Sequence, residues 1–257
     1  MALTQDAQFA VAVLAEFECG RGDGPNHARV LECASKPRAS ELSMSEPSLR
    51  RYTSLVAAIQ ILRQRRLTLL NPELWDDRND IYSIRKYMEA VQARSILALC
   101  FAQQFETYHH WRVFSQGMDG VCLEFDRERL LAAFEGNPQI RYGSVEYYEL
   151  RKLREAPLTV EELPFIKRFP YQDEKEFRIV YVDTEQLLSF KDFEIDLGAI
   201  RRINLSPWMP GARSDSVIET ILSIPGRENI RLNRSTLVEN EQWKGYINDI
   251  LPVVQRP

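Results

Sequence analysis

Two glutamates and an arginine occupy alternate positions in the stretch FPYQDEKEFRIVYV, which covers residues 169–182. If this stretch is a β-strand, Glu174, Glu176 and Arg178 point to one face of it, because side chains alternate along a strand. Valines at positions 180 and 182 continue that face, so the charges would lie where apolar cover gives way to a cleft. A carboxylate at such a place can oppose positive charge that develops in a transition state. The alternative interpretation is a structural salt bridge between Glu176 and Arg178.

A second possible catalytic motif overlaps the first: Asp173 and Lys175 form an Asp-x-Lys triplet around Glu174. This triplet is typical of metal-dependent nucleases, in which two carboxylates bind Mg²⁺ and a lysine approaches the attacked phosphate. The upstream acid would be one of three carboxylates, Glu124, Asp126 and Glu146. An acid-x-lysine triplet arises easily by chance, and a net charge of -4 gives no obvious track for DNA.

Histidines and cysteines offer no recognisable catalytic or metal motif. His109 and His110 are the first place to seek a general base, but neighbours on a helix point in different directions and no serine or cysteine motif marks a nucleophile. The four cysteines lack C-x-x-C spacing, and with three histidines they form no zinc-ligand pattern, so no structural zinc site is predicted. Cys100 and Cys122 lie in apolar runs and are predicted to be buried, reduced thiols, which indicates a cytoplasmic protein.

The bulk composition is that of an ordinary globular protein. The chain has 257 residues, of which 44 % are hydrophobic and 27 % are charged. It lacks the basic excess of a dedicated nucleic-acid binder, and no segment approaches the ~20 apolar residues of a membrane span. We therefore expect no membrane association.

Residues 1–48 are expected to form an N-terminal helix, over residues 5–18, and a linker or arm rich in Gly, Pro and Ser. Residues 49–257 are expected to form one domain. In it, RYTSL predicts a strand end, followed by a helix from residue 55 with Ser54 as its N-cap. RRLTLL and GVCLEFD predict strands, and the continuously apolar SILALCFA predicts a central one.

The segment between these strands is less regular. NPELWDDRND predicts a loop that is either a solvated turn or a partner contact, followed by a helix over residues 81–93. A short helix would bring Tyr108, Trp111 and Phe114 to one side, and a further helix is expected over residues 159–168. Helices and strands mix without regular alternation, which favours an α+β fold.

Four of these motifs, in this order, resemble the bacterial domain-of-unknown-function family catalogued as twenty-nine seventy-one. They are RYTSLVAAIQILRQRRLTLLNPELWDDRND, ALCFAQQFETYHHW, GVCLEFD and YQDEKEFRIVY, and they cover residues 51–182. The family carries a phenylalanine-asparagine-aspartate-proline loop where this chain has Trp75-Asp76-Asp77-Arg78. The family name itself supplies no function.

The order of elements is also similar to that of ADP-ribosyltransferases, in which a late glutamate engages the nicotinamide ribose of NAD. The resemblance implies a split, mixed or antiparallel sheet with flanking helices. It also implies that Arg51, Tyr52 and Thr53 contact the dinucleotide. By the same resemblance Glu176 is the catalytic glutamate, within a Glu-x-Glu pair begun by Glu174, and Arg178 orients it. Tyr108 and Trp111 are candidates for stacking on nicotinamide, although aromatics at such spacing more often belong to a core.

The resulting hypothesis is a NAD-dependent ADP-ribosyltransferase or NAD glycohydrolase, of the kind used as a toxin or a phage-defence effector. Its acceptor would be a macromolecule that the sequence does not identify, or water, and the sequence gives no oligomeric state. The first alternative is a module that binds a nucleotide or a protein without turnover. The second is the metal-dependent nuclease.

Overall fold

The computed structural model describes residues 48–115, 117–155 and 157–250. The predicted N-terminal helix and arm, residues 1–47, lie outside these ranges. The helices are α1 (Leu55–Gln64), α2 (Arg78–Ala90), α3 (Tyr108–Phe114), α4 (Arg127–Ala132), α5 (Leu150–Leu153), α6 (Gly211–Leu222) and α7 (Glu241–Ile250). The strands are β1 (Ser48–Ser54), β2 (Arg66–Leu70), β3 (Ser95–Ala102), β4 (Gly120–Asp126), β5 (Ile140–Ser144), β6 (Glu146–Tyr148), β7 (Ile166–Arg168), β8 (Glu176–Asp183), β9 (Phe190–Glu194), β10 (Ile200–Leu205) and β11 (Arg231–Arg234).

Strand β3, the apolar SILALCFA, lies at the centre of the main sheet. One edge of β3 pairs with β8 along its whole length, and β5 pairs with the far edge of β8. The other edge pairs with two strands, β1 at Ala102 and β2 at Ala98, and the sheet forks there. The first branch continues through β4, β10 and β11, and the second through β9. The pairs are antiparallel except β10–β11, so the sheet is mixed and split.

The two faces of β3 pack against different helices, which explains its unbroken apolar sequence. On one face, residues 97, 99 and 101 belong to the main hydrophobic core with Leu62 of α1 and Leu130 of α4. On the other face, residues 96 and 98 pack in a second cluster with Ile84 and Tyr87 of α2. The predicted α+β class with a split, mixed sheet is confirmed, whereas the proposed division into an arm and one domain stays a prediction.

Short polar side chains cap the first four helices, with Asp126 at the start of α4. Ser54 caps α1 as predicted, because its hydroxyl accepts a hydrogen bond from the Ala57 amide. Thr107 caps α3 in the same way. Asp77 caps α2, so this helix begins at Arg78 rather than at the expected residue 81. The segment WDDRND is therefore not a plain loop, since its last residue, Asp80, lies in the first turn of a helix.

The expected helix over residues 159–168 is wrong in type and length. The chain forms a 3-10 helix over Val160–Phe165 and then enters β7. Pro164 lies inside this 3-10 helix, and its ring removes an amide donor that a longer α-helix would need.

Candidate functional site

A cavity of about 440 Å³ opens where β1, β3 and β8 lie side by side. Arg50, Ala102 and Glu176 are directly opposite one another on these strands, so their side chains share one face of the sheet. All three line the cavity, together with side chains from the Trp75 loop, the end of α3 and the turn that precedes β8. The volume lies within the range of small-molecule sites.

The two glutamates reach this cavity through a turn rather than along one strand. The chain is a 3-10 helix over Phe169–Glu174, and β8 begins only at Glu176. The expectation that Glu174 and Lys175 belong to the strand is therefore wrong. Lys175 between them has a left-handed backbone with φ 44° and ψ 51°. Its backbone carbonyl accepts a hydrogen bond of 2.8 Å from the backbone N–H of Gln103, which ties the turn to the end of β3.

Lys167 of β7 joins the two carboxylates that the turn separates. Its Nζ lies 2.6 Å from Glu174 Oε2 and 3.5 Å from Glu176 Oε2. A third carboxylate oxygen, Asp80 Oδ2, lies 3.8 Å from the same Nζ. Lys167 therefore bridges β7, the turn and α2 at the wall of the cavity.

Arg178 is fully buried and uses every N–H group of its guanidinium. Its Nε and Nη2 donate to the two oxygens of Glu176, at 2.8 and 2.9 Å. Its Nη1 and Nη2 donate to the two oxygens of Asp80, at 2.9 and 2.8 Å, and Nη1 also donates to the Pro164 carbonyl at 2.8 Å. An arginine has five N–H donors, so none remains for a ligand. Arg178 thus contacts Glu176 and Asp80, and its role toward Glu176 stays a prediction.

The two glutamates differ in acidity because they differ in partners. Burial alone would raise the pKa of Glu176, but the charge and hydrogen bonds of Arg178, with the charge of Lys167, outweigh it and lower the pKa to about 2. Burial raises the pKa of Glu174 above its ordinary value, and Lys167 offsets this only in part. Glu176 is therefore ionised at neutral pH, while Glu174 is the more basic of the two.

Two aromatic rings complete the charged cluster. The Trp75 ring lies under the guanidinium of Arg178 at 4.7 Å, and the Tyr171 ring lies 4.8 Å from Lys167 Nζ. Both rings also line the cavity. Sequence reasoning missed four members of this site, Asp80, Lys167, Trp75 and Tyr171.

One signal in the sequence could have found Asp80. Asp80, Ile84 and Tyr87 recur at the spacing of a helical face, and all three are buried. An aspartate on a buried helix face needs a cationic partner, which points to a buried arginine or lysine elsewhere. No comparable local signal marks Lys167.

The candidate residues on β1 have mixed positions. Arg51 and Tyr52 line the cavity, whereas Thr53 is half-buried opposite Val121 of β4. Arg51 Nη1 donates to the Cys100 carbonyl at 3.1 Å, beside the point where β1 separates from β3. Burial lowers the pKa of Arg51 from its ordinary value, and its first role is to satisfy this carbonyl at the fork.

Tyr52 is 8 % exposed, and its ring stacks on His110 at 5.4 Å and meets Trp111 edge-on at 5.2 Å. Burial raises the pKa of Tyr52, so the ring stays neutral. Tyr52 joins the wall of the cavity to the buried side of α3.

The aromatic residues of α3 do not share one side, contrary to expectation. Trp111 is fully buried and its indole N–H donates to Glu106 at 2.8 Å. Tyr108 is 54 % exposed and contacts Trp208 instead, while Phe114 lines the cavity. Each three-residue step falls about 60° short of a full turn, so Tyr108 and Phe114 are roughly 120° apart around the helix.

His110 holds the turn that carries Glu174. Its Nε2 lies 3.0 Å from the Glu174 carbonyl, and its Nδ1 lies 2.6 Å from the Thr107 hydroxyl. Burial lowers the pKa of His110, which favours the neutral ring. A neutral ring that donates from Nε2 to the carbonyl accepts at Nδ1 from the hydroxyl, so both contacts are satisfied at once.

Two residues of the nuclease alternative have contacts elsewhere in the structure, Asp173 through its backbone and Glu124 through its side chain. The Asp173 carbonyl accepts from the Gln104 side chain at 2.7 Å, and Glu124 pairs with Arg50 at 3.1 Å. Within the described ranges, no group of three or more His, Cys, Asp or Glu side chains could hold a metal ion. Cys100 and Cys122 are free thiols in the described ranges. No helix in these ranges is long and apolar enough to cross a membrane.

Comparisons with known proteins give limited likenesses. No protein-family model and no curated protein matches the chain, so the resemblance to the family of unknown function stays a prediction. Among solved structures, the chain is similar to Thermus sp. 2.9 DarT in complex with NAD+, at 11 % identity and a TM-score of 0.38 over 74 % of this chain and 96 % of that one. It is also similar to DarT in complex with ADP-ribosylated ssDNA, at 14 % identity and a TM-score of 0.40 over 74 % of this chain and 94 % of that one. DarT in complex with carba-NAD+ gives 12 % identity and a TM-score of 0.39 over 74 % and 96 %. A likeness at this level transfers no residue role.

Proposed function

We propose that the cavity binds NAD+ and that the chain transfers ADP-ribose from it, or hydrolyses it. The observation that carries the proposal is the Glu176 carboxylate, which is ionised, 6 % exposed and fixed at the cavity wall by both oxygens. A fixed charge in a site with little water acts more strongly than the same charge in solvent, and it needs no rearrangement at the moment of reaction.

The proposed reaction breaks the bond between the ribose C1′ and the nicotinamide nitrogen. The bonding electrons leave with the nitrogen, nicotinamide becomes neutral, and positive charge develops on the ribose. Glu176 accepts a hydrogen bond from a ribose hydroxyl and lowers the energy of this charge. Its low pKa is suited to the task, because the carboxylate remains charged at any physiological pH.

The charges around the cavity suit both ends of NAD+. Arg50 and Arg51 line it together with five carboxylates, at positions 76, 77, 80, 174 and 176. We assign the anionic diphosphate to the side of Arg50 and Arg51, and the cationic nicotinamide ring to the side of Glu174 and Glu176. The aromatic ring of Trp75 is available for stacking on a planar group. This placement keeps Arg51 and Tyr52 as ligand contacts, whereas Thr53, Tyr108 and Trp111 do not line the cavity.

Glu174 is the candidate base for the second half of the reaction. The acceptor forms a bond to C1′ through a lone pair, and it must lose a proton to become neutral. A carboxylate with a raised pKa, such as Glu174, takes a proton more readily than Glu176 does. The acceptor is a macromolecule in the transferase form of the proposal and water in the glycohydrolase form. A cytoplasmic role as a toxin or phage-defence effector belongs to the same proposal.

A non-catalytic binding module is the alternative, and one observation favours it. Arg178 and Lys167 already occupy the oxygens of Glu176, as they would in a purely structural ion pair. A module of this kind would bind the nucleotide with the same residues and release it unchanged.

The test measures NAD+ binding and nicotinamide release by the wild-type protein, with a cell extract as the source of acceptors. Glu176→Gln should lower turnover by roughly 10²- to 10³-fold while NAD+ affinity is retained. Glu194→Gln, on the exposed end of β9, is the matched control and should behave as wild type. NAD+ binding without turnover by the wild type and by both variants would favour the non-catalytic module. A folded wild-type protein that neither binds nor consumes NAD+ would overturn the proposal.

A further inference from the structure

The Asp80 carboxylate and the Glu176 carboxylate hold two adjoining edges of one guanidinium. Asp80 takes the edge formed by Nη1 and Nη2 of Arg178, and Glu176 takes the edge formed by Nε and Nη2. The four distances lie between 2.8 and 2.9 Å. Paired bonds of this kind fix direction as well as distance, because the guanidinium is planar.

The remaining contacts of Arg178 prevent it from turning. Its fifth N–H bond goes to the Pro164 carbonyl, and the Trp75 ring lies under its plane. Asp80 itself is in the first turn of α2, and its side chain is 1 % exposed. The position of the Glu176 carboxylate therefore depends, through a rigid connector, on a helix that is 96 residues away in sequence, from position 80 to position 176.

We propose that Asp80 is a positioning residue for Glu176: it fixes the plane of Arg178, and Arg178 fixes the carboxylate at the cavity wall. The inference rests on the proposed function of Glu176. It adds a residue that no sequence motif assigned, and it requires no contact between Asp80 and the reacting atoms. A displacement of a reacting group by about 1 Å can lower a rate by about 10²-fold.

Asp80→Asn is the direct test. The amide keeps the shape of the side chain but sets an NH₂ group against a guanidinium N–H, so one of the paired bonds is replaced by repulsion. We expect crystal structures of the wild type and the variant to differ in the orientation of the Arg178 guanidinium plane and in the position of the Glu176 carboxylate. We expect kcat for nicotinamide release to fall by about 10²-fold, with a KM for NAD+ that changes by about threefold or less.

Glu73→Gln is the matched control. It removes a carboxylate that pairs with Arg85 of α2, the helix that also carries Asp80. This ion pair is on the exposed side of α2 and lies outside the charged cluster. Its kcat should equal that of the wild type. If Asp80→Asn does not fold, the double variant D80L/R178M is measured instead. It replaces the buried ion pair by apolar side chains of similar size, and it leaves Lys167 as the partner of Glu176. That variant should bind NAD+ and release nicotinamide at least 10²-fold more slowly.

The outcomes separate the two proposals. If the wild type consumes no NAD+, the proposed function fails, and the crystal structures still decide the positioning role. Glu176 and Arg178 found in their wild-type places in Asp80→Asn would overturn the inference, whatever the activity. A double variant as fast as the wild type would overturn it as well.

Discussion

The stability of the fold should depend on pH through Glu176 in a direction that the cluster determines. Its pKa is lowered from 4.5 to about 2, so its charged form stabilises the folded state. At about 1.4 kcal/mol per pKa unit, this contribution is about 3 kcal/mol. Because the folded pKa is the lower one, the contribution is complete above pH 4.5 and is lost as the pH falls toward 2.

Glu176→Gln should therefore unfold about 3 kcal/mol more easily than wild type at pH 7, since glutamine resembles the protonated glutamate. The difference should shrink steadily below pH 4.5 and be nearly absent close to pH 2. Removal of this carboxylate leaves Asp80 and Glu174 facing Arg178 and Lys167, so no surplus charge remains buried. A loss of this size is within the usual stability of a domain, so the variant should still fold.

Urea unfolding of both proteins at a series of pH values from 7 to 3 measures this difference. Titration of carboxylates that the two proteins share cancels in the comparison as long as their surroundings are unchanged. Glu194→Gln, in an exposed ion pair with Arg66, serves as the control and should show no such trend. A difference between wild type and Glu176→Gln that is the same at every pH would refute the reasoning, because the stabilisation would then not come from the charge.

Two further changes test the local structure of the site by the free energy of unfolding. Lys175→Gly should preserve or raise the free energy of unfolding, because the left-handed backbone at φ 44° suits glycine. Lys175→Val should lower it by about 1–3 kcal/mol. Equal stabilities of the two variants would contradict the left-handed conformation of Lys175. Trp111→Ala should cost about 3–5 kcal/mol, since this side chain is fully buried, and the exposed Tyr108→Ala should cost far less. Similar losses for these two alanine variants would contradict their different burial.

Local patterns in the sequence predicted the elements that depend on local rules. An unbroken apolar run indicated the central strand β3, and a serine before an apolar periodicity indicated the start of α1. The same reasoning failed at Lys175. The two-residue spacing of Glu174, Glu176 and Arg178 suggested one strand through this position, and no glycine marked the left-handed turn that precedes β8. A lysine can adopt this conformation because neighbouring hydrogen bonds hold the turn in place.

The composition of the charged cluster was beyond local reasoning for a different reason. Glu176 and Arg178 are two residues apart and could be read from one strand, but Asp80 lies 98 residues before Arg178. Their meeting depends on how α2 packs over β8, which only the topology of the sheet determines. Lys167 likewise gains its importance from the carboxylates around it and not from its own neighbours in sequence.

The charge balance of this cluster argues for a ligand. In the described part of the chain, three carboxylates, Asp80, Glu174 and Glu176, form ion pairs with two cations, Arg178 and Lys167, so this cluster has one carboxylate more than it has cations. Buried ion pairs seldom stabilise a fold more than apolar residues would, and an unbalanced set is worse. Stability alone therefore does not explain why these charges surround a cavity. A cationic group that enters the cavity would restore the balance, and the nicotinamide ring of NAD+ carries such a charge until its bond to ribose breaks.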